Sequence, residues 1–89
     1  MQRLNDLAYH LLVGREIEFS YKGKQYSITN SNGRWMLYCD TDKLLLMDIC
    51  DFGEREILVK TVGTYEIGGK KIADIFNEES DSISDLVVL

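Results

Sequence analysis

Apolar residues recur along the chain with two different periods. Leu4, Leu7, Ala8, Leu11 and Leu12 fall at i, i+3, i+4, i+7 and i+8, a spacing that gathers them on one helical face. Gly14 follows, a residue suited to the turn that ends a helix, so a helix is predicted over about residues 3–13. The period then drops to two. Ile17, Phe19 and Tyr21 alternate with Glu16, Glu18 and Ser20, as in a strand with one apolar face. Lys22-Gly23-Lys24 turns the chain, Tyr26 and Ile28 resume the alternation, and Asn32-Gly33 is a strong hairpin signal ahead of "RWMLYC". Residues 16–39 therefore read as a meander of three antiparallel strands, with Phe19, Tyr21, Tyr26 and Trp35 on one inward face.

Beyond the meander the pattern is less regular. "DTDK" at residues 40–43 is a further turn, and "LLLMDI" reads as a fourth strand with mixed faces. Residues 51–62 admit two readings. Asp51 and Glu54 have capping-box spacing, Ile57, Leu58, Thr61 and Val62 share a helical face, and Gly63 stands where a C-terminal cap belongs. Against that, "ILVKTV" is rich in β-branched residues. The helix is the favoured reading. "YEIGGKK" is a short extended piece with a glycine turn, "KIADIFNE" a short helix on Ile72, Ile75 and Phe76, and "DLVVL" a strand returning to the sheet. The expected fold is α+β: one domain over residues 1–89, an antiparallel sheet of three to five strands, and short helices packed on one face.

Eighty-nine residues make one thin core. No run is apolar enough to cross a membrane, and the first residues are too interrupted for a secretion signal. Cys39 and Cys50 are the only cysteines. Two thiols without such a signal fit a cytoplasmic protein in which both are small buried hydrophobes. The formal charge is −5, unevenly spread: residues 1–39 carry +2, residues 40–56 carry −4, residues 57–76 carry +1 and residues 77–89 carry −4. Such a chain does not attract phosphate backbones in bulk, and it steers basic partners toward itself.

Reaction chemistry is poorly represented. His10 stands alone, without the partners of a catalytic triad or a zinc site. Asp40 and Asp42 open like a calcium loop, but Leu45 replaces the required glycine and Asp51 the terminal glutamate. Gly68-Gly69-Lys70 lacks the spacing of a phosphate-binding loop. Glu16 and Glu18 read as a solvated strand face. Lys22, Lys24 and Arg34 lie near aromatics, yet those aromatics belong to the core, so direct nucleic-acid binding is not favoured. The expectation is a protein without catalysis, metal or cofactor.

Two features point to a partner. Arg34, Met36 and Tyr38 line the outer face of the third strand, and these are types enriched at protein interfaces. Either a later element covers that face or it is an exposed patch. Glu78, Glu79, Asp81 and Asp85 form an acidic tract, read either as a solvated loop or as an electrostatic imitation of a phosphate backbone.

The segments "GREIEFSYKGKQYSI" and "IGGKKIADIF", with a leading helix and a Trp-bearing strand between them, resemble a group of small proteins of Gram-positive bacteria and their phages. The group carries a G-K-E-I-E-F-x-Y-x-G-K-x-Y-S-I hairpin and a later I-x-G-K-x-L-x-E-I-W segment. Here Gly68 lies in the later turn and Phe76 replaces the tryptophan. The resemblance covers about half the chain and implies an α+β fold but no activity or site. The functional expectation is a small acidic binding protein, of the kind a phage or mobile element uses to inhibit a host nucleic-acid-processing enzyme by nucleic-acid mimicry, as anti-CRISPR or anti-restriction factors do. The other reading is a self-associating, homodimeric module.

Overall fold

The computed structural model describes residues 3–89. Helix α1 (Arg3–Leu12) leads into β1 (Ile17–Tyr21), β2 (Lys24–Ser31), β3 (Arg34–Cys39) and β4 (Leu44–Asp51). Helix α2 (Arg55–Thr64), a small hairpin of β5 (Glu66–Ile67) and β6 (Lys70–Lys71), helix α3 (Ile72–Glu78), a single 3₁₀ turn (Ser80–Ser82) and β7 (Ile83–Val88) complete the chain. The main sheet has the order β4-β3-β2-β1-β7, antiparallel throughout. It is the α+β fold expected, with the sequence meander extended by one strand at each edge.

Three connections use consecutive residues with positive φ: Lys22-Gly23, Asn32-Gly33 and Gly68-Gly69. Two such residues make the turn whose twist matches that of paired strands, which is why the hairpins are tight. The side chains pointing inward from the sheet are Ile17, Phe19, Tyr21, Tyr26, Ile28, Trp35 and Leu37, all buried. The helices close over them with Leu7 and Leu11 from α1, Leu58 and Val62 from α2, and Ile72, Ile75 and Phe76 from α3. Phe19 stacks on Tyr26 and meets Phe76 edge-on. Trp35 stacks on Phe52 at 5.6 Å between ring centroids and donates its indole N–H to the Phe52 carbonyl at 3.0 Å. Arg55 continues the stack, its guanidinium 4.5 Å from the Phe52 ring centroid. The same group donates to the Leu12 carbonyl at 3.2 Å, placing a cation at the negative end of α1.

The ambiguous segment is helical, but its boundaries differ from those expected. Asp51 ends β4, and α2 starts at Arg55. Half of the capping box survives, since the Asp51 N–H donates to Glu54 Oε1 at 3.3 Å. Helical preference wins over β-branching because Leu58 and Val62, one turn apart, both enter the core. Ile57 is exposed and does not share their buried face. Gly63 is not the cap. It lies inside α2, where a Cβ would stand 3.4 Å from the Ala73 Cβ of α3, so the approach of the two helices leaves room for a methyl group but not for a larger side chain. Leu12, expected on the apolar face of α1, is also exposed, in the last turn as the chain leaves for β1.

Candidate partner-binding face

All three helices contribute to the core on one side of the sheet, so among the described residues the opposite side has no helical cover. Met36 and Tyr38 lie on that open side. Both are half-buried by their neighbours within the sheet, and neither packs against the core. Their registers define the rest of the surface. Tyr38 stands between Ser27 on β2 and Leu45 on β4, Ser27 is opposite Glu18 on β1, and Glu18 is opposite Val87 on β7. One row thus crosses all five strands: Leu45, Tyr38, Ser27, Glu18, Val87. Beside it, Met36 stands between Thr29 and Asp48, and Arg34 between Ser31 and Asp51.

The row has a distinct profile. Leu45 and Val87 form apolar ends, 45% and 42% exposed. Ser27 in the middle is buried and its hydroxyl donates to the Asp40 carboxylate. The tyrosine O–H of Tyr38 turns along its own strand and donates to Met36 Sδ at 3.3 Å. Glu18 is half-buried and has no ion-pair partner among the described residues.

Charge is lopsided on this face. Arg34 donates from Nη1 to Asp51 at 2.7 Å and from Nε and Nη2 to Asp48 at 3.0 and 2.9 Å. Its hydrogen bonds to Asp48 and then Asp51 raise its pKa further above an already basic value. One guanidinium therefore serves two carboxylates, while Asp40 and Glu18 add two more with no ion-pair partner among the described residues.

The acidic tract lies elsewhere and is not one surface. Glu78 is exposed at the end of α3, the helix that packs on the opposite side of the sheet. Glu79 forms an ion pair with Lys70, which holds its carboxyl below the ordinary value. Asp81 is exposed in the 3₁₀ turn. Asp85 sits at a bulge in β7 with φ of 52°, at the sheet edge remote from β4. Arg34, Met36 and Tyr38 are thus contiguous, and Glu78, Glu79, Asp81 and Asp85 are separate from them.

The sequence reading did not include Leu45, Asp48 and Asp51 in this surface, and it treated Glu18 only as a solvated carboxylate. The cause is in β4. Its pairing with β3 shifts register twice, leaving Leu46 and Ile49 as extra residues. Leu45 and Asp48 share a face although they are three positions apart, which simple alternation forbids.

Among the described residues no group of three or more His, Cys, Asp or Glu side chains is placed to hold a metal ion. Cys39 and Cys50 are free and buried, and burial pushes the Cys50 thiol up. A cleft of about 160 Å³ beside Cys39 is bordered by Tyr26, Leu46, Tyr65 and the Lys24–Asp42 ion pair, closed at 2.7 Å. No described helix is long and apolar enough to cross a membrane. In comparisons with protein-family models, curated proteins and solved structures, no significant match to the chain is found.

Proposed function

We propose that the protein is a non-catalytic binding domain whose open sheet face captures a basic, nucleic-acid-binding protein. The observation that supports this reading is the composition of that face. Four carboxylates (Glu18, Asp40, Asp48, Asp51) and one guanidinium surround an aromatic and apolar centre of Tyr38, Met36 and Leu45. Tyrosine and methionine supply contact area, and the unbalanced carboxylates select a cationic partner and speed its encounter. Neighbouring strands lie about 4.8 Å apart, so carboxylates spread over β1, β4 and the turn after β3 make a negative surface sparser than a nucleic-acid phosphate backbone but of the same sign. Mimicry of that backbone is the means by which such a domain displaces nucleic acid. The resemblance to small proteins of Gram-positive bacteria and phages supplies the setting alone, and the role proposed in it is that of an inhibitor or accessory factor acting on a host nuclease or related cytoplasmic enzyme.

The test uses immobilised protein and a pool of Gram-positive bacterial proteins first retained on DNA–cellulose. The expected result is retention of a defined basic protein, release by moderate salt or by added duplex DNA, and no retention by the Glu18→Lys, Asp48→Lys double variant. Equal retention by wild type and variant would contradict the reading.

A further inference from the structure

We propose that the free edge of β7 is a strand-addition site for an extended, basic segment of a partner protein. The inference rests on the reading of the molecule as a binder of a cationic protein, and it names where and how part of that partner would attach. The sheet ends at β7, so among the described residues no further strand pairs with one side of it. The N–H of Leu89 donates to the Glu16 carbonyl at 2.9 Å, and Val88 is opposite Ile17. Antiparallel pairing alternates, so Val88 directs its own N–H and carbonyl away from β1, toward the open edge. These are the groups that a further strand would engage.

The surroundings specify the incoming strand. Leu86 and Val87 are exposed, and so is Leu89. Val87 ends the row that crosses the open face, so an added strand would extend that row by one position. Glu18, opposite Val87, and Asp85, next to Leu86, flank this stretch without ion-pair partners among the described residues, while Arg15 and Lys22 lie beyond the two ends of β1. Complementarity therefore requires apolar residues alternating with lysine or arginine. The bulge between Glu18 and Ser20, with Asp85 in a left-handed conformation, interrupts the edge. It confines pairing to the regular stretch from Leu86 to Leu89 and keeps it short. The other edge, β4, has two irregularities in its pairing and is less suited.

The probe is a blocked peptide of alternating lysine and valine, titrated into isotopically labelled protein and followed by amide NMR. The inference predicts shifts at Leu86–Leu89 and slowed exchange of the Val88 amide. It also predicts no binding of the glutamate–valine counterpart, and at least about tenfold weaker binding of a lysine–valine peptide N-methylated at alternate residues. Val88→Pro removes the outward donor while the β1 ladder stays intact, because proline is tolerated on an edge when its missing N–H faces solvent. This variant should stay folded by circular dichroism and lose the peptide by a similar factor. Shifts confined to Met36 and Tyr38, unaffected by Val88→Pro, would overturn the edge site and leave the open-face reading standing. Absence of binding at millimolar peptide, or pairing of β7 with a second copy of the chain instead, would also overturn it.

Discussion

Trp35 is the residue on which most of the fold converges. It is fully buried, stacked on Phe52, and tied by its indole N–H to the Phe52 carbonyl. Trp35→Ala should cost about 3–5 kcal/mol in chemical denaturation, the range for removing a large aromatic from a core. A loss under 1 kcal/mol would show that the stack does not organise the interior. Lys22 is a residue of the opposite kind. It occupies a left-handed conformation, φ 49°, at the first position of a tight turn. Lys22→Asn should raise stability by up to about 1 kcal/mol, because asparagine adopts that conformation at lower cost. Its side-chain contacts are the Tyr21 ring and a long hydrogen bond to the Gly68 carbonyl, so little is lost. An unchanged or lowered midpoint in denaturant would show that those contacts outweigh the turn strain.

At the scale of elements, the contact between α2 and α3 depends on Gly63 facing Ala73. Gly63→Ala should be neutral or stabilising, by up to about 1 kcal/mol, since its methyl meets Ala73 at ordinary contact distance while helix propensity improves. Gly63→Leu should destabilise by about 1–3 kcal/mol through overpacking. Thermal unfolding of the two variants distinguishes this from a role as helix cap, in which alanine would be the harmful change. The strand meander and its inward aromatics were legible in the sequence because alternation and the Lys-Gly and Asn-Gly turns agree with each other. So were the returning strand and the helix over Ile72, Ile75 and Phe76. The candidate face was legible only in part. Met36 and Tyr38 could be placed on an outer face, but whether anything covered it depends on how the helices pack, a tertiary fact. Asp48 and Leu45 could not be joined to it, because the two extra residues of β4 scramble the period from which faces are read. Likewise the start of α2 moved past Asp51 because β3 keeps pairing through Arg34 and holds Asp51 in the sheet.

For the whole molecule, ion pairs give stability a pH dependence whose sign is fixed. Asp42 and Glu79 are held below their ordinary values of 3.8 and 4.5 by Lys24 and Lys70. A depressed carboxyl contributes stability that is present above its ordinary value and lost as pH falls through its lower folded value. Lys24 and Lys70 are raised above 10.5 by the same pairs. Their contribution is complete below 10.5 and lost as pH rises through the higher folded values. The Cys50 thiol, raised by burial above its ordinary 9.0, destabilises the fold once pH passes that value, so the unfolding midpoint should be level between about pH 5 and pH 8 and fall on both sides, by a small amount on the acid side because the ion pairs are exposed. A midpoint that rises on acidification below pH 4 would contradict this account.

The central claim is that the open face, rather than the acidic tract as a whole, selects a cationic partner. The measurement is the affinity for the retained basic protein across a series of salt concentrations, for wild type, for Glu18→Lys with Asp48→Lys, and for Glu78→Lys with Asp81→Lys. The account predicts at least about tenfold weaker binding and a shallower salt dependence for the face variant, and near wild-type affinity for the tract variant once its smaller long-range charge effect is extrapolated away at high salt. The reverse order, with the face variant unimpaired and the tract variant failing to bind, would contradict it.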